Sequence, residues 1–258
     1  MGAQTVVADV ADELARRVAT GQYAPGDLMP SVRQVAEEFE MNRATAQLVL
    51  GRLESYGFVD AHRGRGFSVR DVRRTGGVDV YRRLFRLCLH APAAASDMFA
   101  NIVAAERGIV LGALLDYTAA ERGIAPATLA AAVDELETQA RAAEPDQARM
   151  LEIEIGLVRA ILTDLGHTMQ RAVLNSVGEM LFEVPEAVGA YFAVSADLHV
   201  LVWRALLAVW ESAGGPTPAQ LALFEDLFAM YHEKVLARFD ELAGLDPDSG
   251  AHRRSATA

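Results

Sequence analysis

From residue 31 onward the apolar positions of this chain recur mostly at helical spacing. Val32, Val35, Ala36 and Phe39 fall at i, i+3, i+4 and i+7, with Arg33, Glu37 and Glu38 between them, which predicts a short helix with one buried face. Ser31, just after Pro30 and three residues before Gln34, supplies a capping box for its start. A second helix follows at once. Asn42 is a good N-cap, and Ala46, Val49, Leu50 and Leu53 repeat the spacing, so Arg43, Thr45 and Gln47 lie on the uncovered side near its beginning. After Gly57 the period shortens. Residues 58–62 and 67–70 read as two short strands joined by Arg63-Gly64-Arg65-Gly66, a basic hairpin with glycine at its tip.

Beyond Thr75-Gly76-Gly77 the strand signals vanish. Helices are expected near 78–90, 95–122, 126–143, 147–166, 168–183, 186–213 and 217–243, separated by glycine and proline breaks. The fold class is therefore mainly α. A winged helix-turn-helix occupies 1–75 and an all-α bundle of about six to seven helices occupies 76–244. From Leu245 to residue 258 the composition offers little to bury and reads as a disordered tail.

Two capped helices followed by a basic wing have the composition of a duplex-DNA reader. The second helix of such a unit enters the major groove N-terminus first, where Arg suits guanine edges and Gln suits adenine edges. Glycines let the wing backbone approach a sugar-phosphate wall, and Arg63 and Arg65 supply charge. The net charge of −11 looks wrong for this role until it is divided by region. Residues 1–75 hold ten Arg against ten Asp and Glu, so the acidic excess lies in the second domain.

A chain of 258 residues that is 52% hydrophobic can bury two sizeable cores. No secretory segment is apparent, and the apolar stretch from Leu198 to Trp210 is interrupted by Arg204 and too short to span a bilayer, so a soluble cytoplasmic protein is expected. The single Cys88 excludes an intramolecular disulfide and fits a reducing compartment. No nucleophile elbow, phosphate loop, dinucleotide fingerprint or zinc-protease motif is present, so neither an enzyme nor a cofactor is expected.

The first block resembles the N-terminal domain of the GntR family of bacterial transcriptional regulators. Gly21, Tyr23, Pro25, Gly26, Pro30, Ser31, Arg33 and Ala36 stand where that family's motif has them. The resemblance implies DNA contacts from Arg33, Asn42, Arg43, Thr45 and Gln47, with Arg63, Gly64 and Arg65 from the wing. Many relatives carry arginine where Gln47 stands, a change that alters base preference. The second domain resembles the helical effector domain of the fatty-acid-responsive branch. Leu165-Gly166-His167-Thr168, residues 172–177 and Gly189-Ala190-Tyr191-Phe192-Ala193 carry that likeness, and Arg107 matches an arginine of the branch. Effector contacts are expected from Arg107, Asn175, Tyr191 and Tyr231, with a long-chain acyl-coenzyme A or fatty acid as the ligand. Tyr231-His232-Glu233-Lys234 and Arg238 depart from the branch pattern.

On their own, these residues admit other roles. Arg107 could instead pair with Glu106 or Asp116, Tyr191 and Asn175 could be satisfied core groups, and Trp203 and Trp210 could simply pack. The sister group binds a divalent metal through one Asp and three His. Here residues 154–158 read Glu-Ile-Gly-Leu-Val, so one histidine position is valine; His199 and His232 remain, and no metal is expected. The reading is a homodimeric repressor or dual regulator on a palindromic operator, tied to fatty acid metabolism and without membrane contact. A metal-dependent carboxylate sensor and an effector-free DNA-binding dimer are the alternatives.

Overall fold

The chain begins with α1 (Ala3–Ala19), whose Val7, Ala11, Leu14, Ala15 and Val18 form a buried stripe. The computed structural model describes residues 3–119, 126–212 and 215–245. Within it α2 (Val32–Glu38) and α3 (Arg43–Ser55) form the expected helix pair. Ser31 and Gln34 make the reciprocal capping box, and Asn42 Oδ1 accepts the Thr45 backbone N–H at 2.8 Å. Ala46, Val49, Leu50 and Leu53 are fully buried, against α1 on one side and α2 on the other. Glu40, in the turn between α2 and α3, has φ +50°, a left-handed conformation unusual for a side chain with a Cβ.

The wing consists of β1 (Val59–His62) and β2 (Gly66–Val69), antiparallel with Val59 opposite Val69 and His62 opposite Gly66. The segment before α2 lies along the other edge of β2: Met29 N–H donates to the Phe67 carbonyl and Val69 N–H to the Asp27 carbonyl, both at 2.8 Å. The wing is therefore fastened to the entry of α2. After the short α4 (Val72–Thr75), α5 (Val78–Cys88) packs back on α1.

The chain divides into two compact units, Met1–Ala91 and Pro92–Ala258. The glycine pair at 76–77 is thus not the unit boundary; α5 belongs with the first unit. The close approach at Gly57 shows why. With φ +81°, a Cβ there would sit 2.8 Å from the Val80 side chain of α5, so the turn after α3 and the start of α5 fit only around glycine.

The second unit contains α6 (Pro92–Ala119), α7 (Pro126–Ala140), α8 (Gln147–Asp164), α9 (Thr168–Phe182), α10 (Pro185–Tyr191), α11 (Ala196–Glu211) and α12 (Pro218–Leu242). α6 is long and apolar enough to cross a membrane by length and composition, but its apolar stripe packs against α8, α9 and α12. Phe99 of α6 stacks on Phe239 of α12 at 4.0 Å between ring centres. The helix expected over 186–213 is instead two helices, α10 and α11, bent by 60°. Local bonds and one long-range bond mark the break. Phe192 and Ala193 make tight i to i−3 bonds to Gly189 and Ala190, and Ser195 is extended at ψ 148°. The Tyr191 carbonyl accepts the Tyr231 hydroxyl at 2.7 Å. The expected tail from 246 to 258, and the predicted helix ends at 120–122 and 213, lie outside the described residues.

Candidate nucleic-acid interface and ligand cavity

In the first unit an open cleft of about 1,110 Å³ runs between the entry to α2, the outer face of α3 and the wing. Arg33, Gln47, Arg63, Gly64 and Arg65 line it, so five of the eight residues expected at DNA surround one concavity. Arg43 is exposed on the first turn of α3. Asn42 and Thr45 have a different local job. The Asn42 carbonyl oxygen accepts both the backbone N–H and the hydroxyl of Thr45, at 2.8 and 3.1 Å, so these side chains hold the helix end on which Arg43 is presented. At the wing tip Gly64 and Gly66 have φ of +76° and +93°, the left-handed turn that projects Arg63 and Arg65. His62 Nε2 lies 2.7 Å from the Ser68 hydroxyl across the hairpin. Arg33 stays largely exposed, 3.7 Å from Glu37 on the next turn, a contact worth little in water.

The second unit contains a partly open cavity of about 320 Å³ bordered by α6, α8, α10, α11 and α12. Its walls are mostly aliphatic and aromatic, among them Val110, Leu114, Ile155, Val202, Leu227 and Phe228. Two glutamates and two histidines interrupt that apolar lining as two pairs. His232 Nδ1 donates to the Phe228 carbonyl at 2.7 Å, which leaves Nε2 facing Glu106 Oε2 at 3.1 Å. A carbonyl can only accept, so Nδ1 carries a hydrogen and Nε2 is the nitrogen turned to the carboxyl group. Tyr191 donates its hydroxyl to the same Glu106 oxygen at 3.2 Å. In the other pair His199 Nδ1 sits 3.0 Å from Glu154, whose second oxygen also accepts the Trp203 indole N–H at 2.9 Å.

Burial opposes the charge on His199, yet the Glu154 carboxylate outweighs it through its field and hydrogen bond, leaving the imidazole above its ordinary pKa. Its Nε2 is buried without a well-formed hydrogen bond, and the nearby Tyr191 carbonyl adds to the upward shift. The hydroxyls of Tyr191 and Tyr231 are pushed well above the usual phenol range. For both, burial is the largest cause, followed by carboxylate charge: chiefly Glu106 on Tyr191 and Glu154 on Tyr231.

Tyr191 and Tyr231, expected as effector contacts, both border this cavity. Arg107 and Asn175, expected beside them, do not: both are exposed on the outer faces of α6 and α9. One residue along a helix is a rotation of about 100°, and on α6 that places Glu106 inside and Arg107 outside. Glu106 and Glu154 are the functional candidates missed by the sequence reading. Their signal is an acid standing within an apolar stripe, Glu106 between Val103 and Val110, and Glu154 between Leu151 and Val158. His199 and His232 fall in separate pairs, and no group of three or more His, Cys, Asp or Glu that could hold a metal occurs among the described residues.

Residues 7–69 match the family model described as bacterial regulatory proteins, gntR family. HTH-type transcriptional regulator Mce2R of Mycobacterium tuberculosis is 36% identical over 81 residues, 31% of this chain and 34% of that protein. The uncharacterized HTH-type transcriptional regulator YhcF of Bacillus subtilis is 35% identical over 57 residues, 22% of this chain and 47% of that protein. This chain thus spans less than half the length of either relative. Among solved structures, Lar of Listeria monocytogenes aligns over 98% of this chain and 97% of its own at 13% identity, with a TM-score of 0.45 too low to bear on the second unit. The capped helix pair and the wing both fall within the residues that match this family model, so the likeness covers the N-terminal unit.

Proposed function

We propose that this protein is a homodimeric transcriptional regulator that binds a palindromic operator through its N-terminal units and is released, or shifted, by a small apolar effector held in the helical unit. The named relatives are transcriptional regulators, and the reading is of a cytoplasmic binding protein, not an enzyme. Arg43, Gln47 and Arg33 meet the duplex at base edges or phosphates, Arg63 and Arg65 do so from the wing, Gly64 lets the wing backbone come close, and Asn42 and Thr45 hold the leading end of α3. The observation that supports effector control is the apolar cavity of about 320 Å³ with Tyr191 and Tyr231 on its border. A long-chain acyl-coenzyme A or fatty acid fits that lining in character, with the acyl chain inside. By linkage, a ligand that prefers the form poor at binding operator weakens DNA binding by its own preference ratio.

The test is fluorescence anisotropy of the purified protein on DNA from upstream of its own gene, at fixed salt because phosphate contacts set the affinity. Release by micromolar long-chain acyl-coenzyme A is the expected result. Operator binding that no acyl ligand alters would remove the lipid effector and leave the regulator; no preference over random DNA would remove the regulator itself.

A further inference from the structure

We infer that the cavity of the helical unit selects an uncharged ligand head, an apolar chain bearing a carbonyl acceptor such as an ester, thioester or ketone, and discriminates against the free carboxylate of the same chain. The inference rests on the effector reading above and narrows it. The polar part of the lining is made of two glutamates, Glu106 and Glu154, each balanced by one histidine. Those histidines have little left to offer an anion. His232 uses Nδ1 on the Phe228 carbonyl and Nε2 on Glu106, and His199 uses Nδ1 on Glu154. The Tyr191 hydroxyl is donated to Glu106 and the Tyr231 hydroxyl to the Tyr191 carbonyl. Each histidine answers at most one carboxylate, so an entering carboxylate would add a negative charge that no cation inside the cavity compensates.

The arginine that would have answered such a charge is on the wrong face: Arg107 is exposed on the outer side of α6. Lys234 of α12 borders the cavity from an exposed position, where it can meet a solvent-side anionic group but not one buried among the glutamates. The same two carboxylates already oppose ionisation of Tyr191 and Tyr231. What the lining leaves without a partner is one nitrogen. It is Nε2 of His199, which is buried and has no hydrogen bond. When the imidazole is charged, a neutral carbonyl oxygen can accept the Nε2 hydrogen after a small movement of the ring and brings no net charge with it.

The experiment is isothermal titration calorimetry of the whole protein at a pH of about 6.5, where the His199 imidazole is charged, with methyl oleate and with oleate, each carried by cyclodextrin and matched in chain. The ester is expected to bind about tenfold tighter or more, a separation of about 1.4 kcal/mol. In Glu106→Gln, which keeps an acceptor for Tyr191 but removes the charge, the two affinities should approach each other severalfold. Oleate binding as tightly as the ester overturns the inference while leaving the cavity as an effector site. An unchanged ratio in both Glu106→Gln and Glu154→Gln also overturns it. Binding of neither lipid overturns this inference together with the effector reading on which it rests.

Discussion

Helix α3 and the helices around the cavity sort their side chains in opposite senses. In α3 the apolar residues Ala46, Val49, Leu50 and Leu53 face in, and Arg43 and Gln47 face out. Around the cavity the acids Glu106 and Glu154 point inward with His199 and His232, while Leu201, Leu223 and Met230 stand more than half exposed on α11 and α12. A helix whose polarity follows the usual rule is held by its core and acts through its surface. A helix that buries acids among leucines carries its chemistry inside, because a buried charge persists only where specific partners hold it.

The largest test of that contrast removes an inward acid. Glu154→Ala leaves His199 and the Trp203 indole facing an empty space, and should cost about 3–5 kcal/mol in the helical unit, read as an early melting transition by circular dichroism. A loss below about 1 kcal/mol would mean the pair is solvated and the contrast false. In α3 the matching change is Leu50→Ala, a fully buried residue whose truncation should cost about 2–5 kcal/mol in the N-terminal unit. Arg43→Ala, outward on the same helix, should leave melting unchanged and cost about 1–3 kcal/mol of operator preference by anisotropy; undiminished preference for operator over random DNA would take Arg43 out of the interface.

A smaller effect comes from pH. The folded pKa of His199 lies above its unfolded value, so its stabilisation is complete below about 6.5 and fades as pH rises through the folded value. Melting of the helical unit should fall across that window, and Glu154→Gln should flatten the profile; a profile that rises with pH would contradict the pairing. The smallest change is expected from Arg107→Ala, within about 0.5 kcal/mol in melting and without effect on lipid affinity, in contrast to its neighbour Glu106. A loss of affinity in Arg107→Ala would place that side chain at the ligand after all.

The N-terminal unit was legible because its signals are local. Ser31 with Gln34, Asn42 before α3, and glycines at the wing tip each act within a few residues, and the structure has all of them. α1 carried an equally clear stripe from Val7 to Val18 that the sequence reading left unassigned. The place of α5 was not legible, since it depends on packing against α1 and on the Gly57 to Val80 approach, contacts between residues far apart in sequence. The break at 192–195 was hidden for the same reason: the hydroxyl that takes up the Tyr191 carbonyl comes from Tyr231, forty positions away. Tyr191 and Tyr231 border the cavity and Arg107 and Asn175 stand outside it, because resemblance gives a residue's position and the helix phase decides where it points.

The chain contains two tryptophans, and the structure gives them unlike surroundings. Trp203 borders the cavity with its indole N–H on Glu154, whereas Trp210 is fully buried, bonded to the Thr118 hydroxyl and set edge-on to Tyr117 at 4.8 Å. Excitation near the red edge of the protein spectrum therefore illuminates one indole that borders the binding space and one held in a fixed setting. Replacing Trp210 by phenylalanine would leave a single emitter at the cavity wall, so that ligand entry could be timed optically in the unlabelled protein.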